Sequence, residues 1–200
     1  MKATILGGKA YGLPFEEHYT CVYDSNPSIE DIASSKLLVF TGGSDVDSWL
    51  YGEPALPTTM IDGGRDRVEE AVYNECIHHN IPMVGICRGS QFLNVMNGGS
   101  LIQHQTEHCM GGGHEMHTDI ASMWVTSTHH QMMRITEDAV LLAWANECDG
   151  MYAIEPEVVF YRETQSLCVQ YHPEYMDPSS DGWLSFQDLI GKYILPYGNS

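Results

Sequence analysis

The sequence predicts an α/β fold, a doubly wound and mostly parallel central sheet flanked by helices, with short antiparallel additions. Three observations carry that prediction. Short apolar runs alternate with helical patterns through the first hundred residues, as successive βα units require. The apolar run 81–86 passes through a glycine-flanked Cys87 straight into the helical pattern 91–96. A second strand-like run, 166–171, ends on His172-Pro173-Glu174, so both chemistry-bearing motifs fall where strands stop.

Taken in order, residues 4–6 open as a strand that breaks at Gly7-Gly8, and 20–23 and 36–40 follow as further strands. Residues 65–80 show helical spacing at Val68, Val72, Cys76 and Ile77. Segment 81–86 is the strand that carries Cys87, and Gly98-Gly99 closes the helix after it. Beyond Gly99 the signals shorten and become strand-rich, at 123–126, 140–143, 151–154 and 158–161, with Cys148-Asp149-Gly150 as a hairpin turn. Trp183, Phe186, Leu189, Ile190 and Tyr193 have the spacing of a closing helix that packs back on the sheet. No repeat, low-complexity stretch or linker interrupts the chain, so one domain over residues 1–200 is expected.

Composition narrows the function classes. With 43% hydrophobic residues, the 200-residue chain can bury a sizeable core. No apolar stretch is long enough to cross a bilayer and no signal peptide is visible, so no membrane partner is expected. The six cysteines (21, 76, 87, 109, 148 and 168) follow no framework spacing, which fits a reducing cytoplasm. Twenty-seven acidic against nine basic residues give a net charge of −18, a surface that repels phosphate backbones and argues against direct nucleic-acid binding.

The run Gly85-Ile86-Cys87-Arg88-Gly89-Ser90-Gln91 has the layout of a nucleophile elbow. Its glycines permit a sharp, strained turn that lifts the sulfur above the carboxyl edge of the sheet. The helix N-terminus behind it, and Arg88 alongside, favour a negatively charged sulfur. Downstream, residues i and i+2 of an extended segment point to one side, so His172 and Glu174 project together and the carboxylate orients the imidazole. Pro173 donates no ladder hydrogen bond and should end the strand. Nucleophile, base and base-orienter are what cysteine acyl transfer needs. The stretch His104, His108, His114 and His117, with Cys109 inside it and Gly111-Gly112-Gly113 beside it, invites a metal reading. Its intervals are irregular where zinc sites show paired ligands, so it reads as a flap bordering the pocket, with no metal expected.

These motifs resemble the class I glutamine amidotransferase-like superfamily, and within it the γ-glutamyl hydrolase-like group, peptidase family C26. Thr41-Gly42-Gly43-Ser44-Asp45-Val46-Asp47 with Tyr51-Gly52-Glu53 is similar to the first glycine loop of that family. Arg65-Asp66 followed by Glu69 or Glu70 resembles the start of its next helix. The Cys87 block with Asn94-Val95, Gly98-Gly99 and Leu101-Ile102-Gln103-His104 is similar to its nucleophile block. Ser127-Thr128-His129-His130-Gln131 resembles its substrate-side motif, and His172-Pro173-Glu174 its last two triad members. Two departures concern the substrate walls: the first loop is brief, and the segment between His117 and Ser127 is shorter than the family's.

The resemblance implies a flavodoxin-like fold and a Cys87–His172–Glu174 triad that cleaves a γ-glutamyl amide through a γ-glutamyl thioester. Developing negative charge would be met by backbone N–H groups of Arg88 and of Gly42 or Gly43, where glycine lets the backbone approach closely. Gln91 resembles the residue that helps hold the glutamyl group, and His129, His130 and Gln131 carry donors and acceptors suited to an α-amino and α-carboxylate. No cofactor is implied. The leading expectation is a free-standing cytoplasmic hydrolase of small γ-glutamyl substrates. The alternative is a glutaminase subunit that hands ammonia to a separate synthetase, and homo-oligomer formation stays open.

Overall fold

The computed structural model describes residues 1–105, 112–146 and 154–198. Five strands run parallel: β1 (Lys2–Leu6), β2 (Thr20–Tyr23), β3 (Leu37–Phe40), β4 (Met83–Ile86) and β11 (Ser166–Val169). Four antiparallel strands extend that sheet: β6 (Gly112–His117), β7 (Ser122–Ser127), β9 (Val140–Asn146) and β10 (Ile154–Tyr161). The order across the sheet is β2-β1-β3-β4-β11-β10-β9-β6-β7. A separate antiparallel pair joins β5 (Ser100–Ile102) to β8 (Met132–Arg134).

The helices are α1 (Ile29–Ala33), α2 (Gly63–His79), α3 (Arg88–Met96), α4 (Asp181–Tyr193) and α5 (Leu195–Gly198). Strand alternation sorts the core into two layers. Leu37 and Val39 pack with Phe15, Phe186 and Ile190 on one face, while Leu38 and Phe40 meet Val72, Cys76, Phe92 and Leu93 on the other. Both faces being covered explains why the parallel strands read as continuous apolar runs. Local signals fix the helix ends: the Asp62 carboxylate accepts from the Gly64 and Arg65 N–H groups, and Asn80 closes α2 at φ 54°. Helix α3 presses its first turn on the sheet so closely that a Cβ on Gly89 would collide with the Phe40 carbonyl. Among the described residues, no helix is long and apolar enough to cross a membrane.

Several expectations change. The flap read at His114 and His117 is strand β6, paired along its length with β7. The candidate strands at 151–154 and 158–161 belong to one element from Ile154 onward, residues 151–153 lying outside the described residues. The Pro156 that separates them in sequence sits where the β9–β10 register shifts, because a bulge tolerates a residue without a ladder donor. The hairpin expected at Cys148-Asp149-Gly150 also falls outside the described residues. Strand β11 stops at Val169, and Pro173–Tyr175 form a 3-10 turn rather than an extended tail.

Candidate active site

Strand β4 delivers Cys87 to the N-terminus of α3 at φ 52° and ψ −110°, a conformation an L-residue adopts only under constraint. The constraint is visible: the Cys87 N–H donates to the Val169 carbonyl at 2.8 Å, and its own carbonyl accepts from the Ser90 and Gln91 N–H groups at 3.0 and 3.2 Å. The sulfur faces His172, which β11 brings alongside β4, closely enough for Cys87 to raise the imidazole pKa. His172 Nδ1 lies 2.6 Å from Glu174 Oε1, so Nε2 is the ring atom left for the thiol. Burial lowers the His172 pKa, but the hydrogen bonds and charges of Cys87 and Glu174 outweigh it and hold it at about 10. The site thus favours the cationic form of the imidazole. The His172–Glu174 contact is made by the 3-10 turn, which differs from the extended i, i+2 geometry expected.

The backbone of His172 is held as tightly as its ring. Its N–H donates to Thr126 Oγ1 at 2.8 Å, and the same hydroxyl donates to the His172 carbonyl at 3.2 Å. Tyr175 stacks on the imidazole at 5.0 Å between centroids and 17° between planes, and Tyr11 lies tilted at 6.2 Å. Burial, then the charges of Glu174, Tyr175 and Cys87, raise the pKa of the Tyr11 phenol far above its usual value, so it stays a neutral donor. Sequence reasoning missed Thr126, Tyr11 and Tyr175. Only the adjacency of Tyr175 to Glu174 offered a signal.

Gly42 lies against this group: a Cβ there would come 3.0 Å from His172 Cε1 and 2.5 Å from the Tyr11 hydroxyl. Arg65 grips the same loop, with Nη1 donating to the Gly42 carbonyl at 2.8 Å and Nη2 to the Thr41 carbonyl at 2.7 Å. In a trans peptide the N–H points opposite to the C=O, so Arg65 turns the Gly43 N–H away from itself. The Arg88 N–H is one of the first-turn donors of α3, which have no intrahelical acceptor.

The Arg88 side chain does not do what its place in the motif suggested. Its guanidinium is buried and ion-paired to Asp66 and Glu69, and Nε donates to the Ser44 carbonyl at 3.1 Å. Burial, then Arg65, bring its pKa down to about 10, against the pull of Asp66. Two carboxylates thus meet its charge, so the backbone is what Arg88 offers Cys87. Of the two acids considered for the α2 start, Glu69 is the buried one, and it also accepts from Arg65 Nε at 2.7 Å.

The block His129-His130-Gln131 splits. His129 is buried, its Nδ1 on the Gln131 carbonyl at 2.9 Å and its Nε2 facing Glu157. Gln131 is buried and donates to the Gln103 carbonyl at 3.3 Å. Only His130 keeps a partly exposed side chain, with Nε2 3.0 Å from Asp45 Oδ1 and Nδ1 3.3 Å from His104 Nδ1. Gln91 is also buried, donating to the Gln131 carbonyl at 3.2 Å and to Gln170 Oε1 at 3.1 Å. Gln91, His129 and Gln131 therefore form a wall cross-linked by hydrogen bonds, a correction to three side chains presented to a ligand. The other histidines of the 104–117 stretch disperse: His117 meets Ser122 and Asn146, His114 meets Glu157, and His108 lies outside the described residues.

The peptidase C26 family model matches residues 24–146, more than half the chain. The chain belongs to the peptidase C26 family. A glutamine amidotransferase-like protein of Lactococcus lactis is 34% identical over 158 residues, covering 68% of this chain and 65% of that protein. The γ-glutamyl-γ-aminobutyrate hydrolase of Escherichia coli is 28% identical over 159 residues, covering 66% of this chain and 61% of the enzyme. The match thus spans less than two thirds of either relative. The structure of PurLQS from Thermotoga maritima aligns over 98% of both chains at a TM-score of 0.68 and 14% identity, a likeness of fold. The mostly parallel, doubly wound architecture is that of the class I glutamine amidotransferases.

Proposed function

We propose that this C26 chain is a cysteine-dependent hydrolase of γ-glutamyl amide bonds. The observation that carries the proposal is the grouping of Cys87, His172 and Glu174 at the elbow, with Glu174 bonded to the imidazole and Cys87 close enough to raise its pKa. The Cys87 sulfur attacks the γ-carbonyl carbon, and charge collects on the oxygen, which the Arg88 and Gly43 N–H groups stabilise in this reading. The C–N bond breaks as His172 Nε2 gives its proton to the departing amine, which leaves a γ-glutamyl thioester. Water then enters, His172 takes its proton, and the thioester resolves to a free γ-carboxylate and the thiol. Glu174 keeps the ring in one orientation and stabilises its cationic form through both steps.

A second reading, a glutaminase subunit serving a synthetase, draws on one feature. Residues 118–121 form only a tight connection between the hairpin partners His117 and Ser122, so little wall stands there to grip a bulky amine. Similarity to a named γ-glutamyl-amine hydrolase favours the first reading. Steady-state kinetics on glutamine and a panel of γ-glutamyl amines and peptides separate the two. A free-standing hydrolase draws binding energy from the leaving amine and should prefer the amides. Glutamine preferred over every γ-glutamyl amide tested would overturn it.

A further inference from the structure

We propose that His114, His129 and Glu157 form a site for a divalent transition-metal ion, Zn²⁺ in the first instance, that staples the antiparallel extension to the wall beside the active site. The three residues come from three segments: β6, the loop after β7, and β10. His114 Nε2 stands 3.1 Å and His129 Nε2 3.9 Å from Glu157 Oε1, and all three donor atoms lie within 4.8 Å of one another. A tetrahedral ion with bonds of about 2.0–2.1 Å holds its ligands roughly 3.3 Å apart. One pair already meets that spacing, and the other contacts need only a small inward shift. The imidazole planes cross at 86°, as two rings do when they aim at one point from different directions.

The protonation pattern favours a cation there. The Gln131 carbonyl can only accept, so His129 Nδ1 carries the hydrogen, and in the neutral ring the Nε2 lone pair faces the fully buried Glu157 carboxylate. An imidazole whose other nitrogen donates to a backbone carbonyl is the arrangement that orients metal-binding histidines. Glu157 owes its position to the bulge: Pro156 pairs with Trp144 and Val158 with Ala143, which leaves Glu157 as the extra residue and re-aims its side chain. Two imidazoles and one carboxylate suit zinc and its neighbours better than magnesium or calcium, and leave a fourth position for water. The His114 side chain, 15% exposed, provides the way in. The site is separate from Cys87 but shares a support with it, since the Gln131 carbonyl accepts from both His129 and Gln91 on the elbow helix.

The test is Zn²⁺ binding by the full chain, stripped with chelator and then dialysed against the metal, with metal content read by mass spectrometry. Wild type and Cys87→Ala should each retain about one Zn²⁺ per chain, while His114→Ala and Glu157→Gln should bind at least about 100-fold more weakly. Cys87→Ala is included because a thiol beside an imidazole is itself a zinc ligand pair. Co²⁺ gives the second readout: nitrogen and oxygen ligation produces visible d–d bands without a thiolate charge-transfer band. If Glu157→Gln fails to fold, the partly exposed His114→Ala decides. No stoichiometric Zn²⁺ in wild type, equal binding by His114→Ala, or loss of the metal in Cys87→Ala would each overturn the site and leave the three residues as a proton-bridged cluster.

Discussion

Two ionic clusters join the proposed active site by different routes, one through Arg88 at the elbow and one through the Gln131 carbonyl that His129 and Gln91 share. Behind the elbow, Arg65 and Arg88 face Asp66 and Glu69, two permanent cations against two carboxylates, with geometry set by planar guanidinium forks. Under the antiparallel extension, Glu157 faces His114 and His129, whose charge depends on what they bind. The first can only be intact or broken; the second can be filled by a proton or by an ion. The difference tracks position: the guanidinium cluster underpins the strand-to-helix turn that carries Cys87, and the imidazole cluster underpins a wall.

That contrast can be broken by mutation, and the largest effect belongs to the elbow. Cys87→Ser should reduce γ-glutamyl hydrolysis by at least about 10³-fold while the circular dichroism spectrum stays native, whereas His114→Ala should keep turnover within about tenfold of wild type. A comparable loss in both would erase the distinction between chemistry and wall. Glu174→Gln comes next, with kcat expected to fall by about 10²–10⁴-fold. It also carries a pH signature. His172 is raised from 6.5 to about 10 in the fold, so its stabilising contribution is complete below about pH 6.5 and is lost as the pH climbs through about 10. The gap between wild-type and Glu174→Gln melting temperatures should therefore narrow from pH 6 towards pH 10; a constant gap would mean that the pair carries no such linkage.

Stability separates the clusters directly. Glu69→Ala removes one of the two carboxylates of the buried Arg88 and the carboxylate partner of the half-buried Arg65, and should cost about 3–5 kcal/mol in urea denaturation, unchanged by chelator. A loss below about 1 kcal/mol would show that the arginines find other partners. Smaller in energetic terms, though clean to read, is thiol reactivity. Burial raises the Cys76, Cys168 and Cys21 thiols, most strongly the first two, so iodoacetamide at neutral pH should label Cys87 ahead of all three. Tyr175→Ala, which removes only the ring stacked on His172, should lower kcat by no more than a few-fold.

Much of this was legible in the sequence where local rules act over a few residues. The run through Cys87 announced strand, turn and helix, and the βα alternation announced the parallel half of the sheet. Contacts that the topology alone creates were not legible. Arg88 stands next to Cys87 in sequence, yet its guanidinium is claimed by residues 19 and 22 positions earlier. His114, His129 and Glu157 meet only because β6 and β10 both pair with β9, and because a bulge turns Glu157 out of strand register. The His172–Glu174 pair was anticipated for the wrong reason, since a 3-10 turn makes the contact that an extended segment was expected to make.

The backbone at Cys87 has a consequence of its own. At φ 52° and ψ −110° the residue holds about 1–3 kcal/mol of conformational energy that any side chain would carry there and that glycine would largely escape. Cys87→Gly should therefore melt higher than Cys87→Ala, although both lack the sulfur. Selection for thermal persistence alone would drift toward glycine at this position. On the proposed function, the reaction is what keeps cysteine at 87, and the fold by itself would let it go.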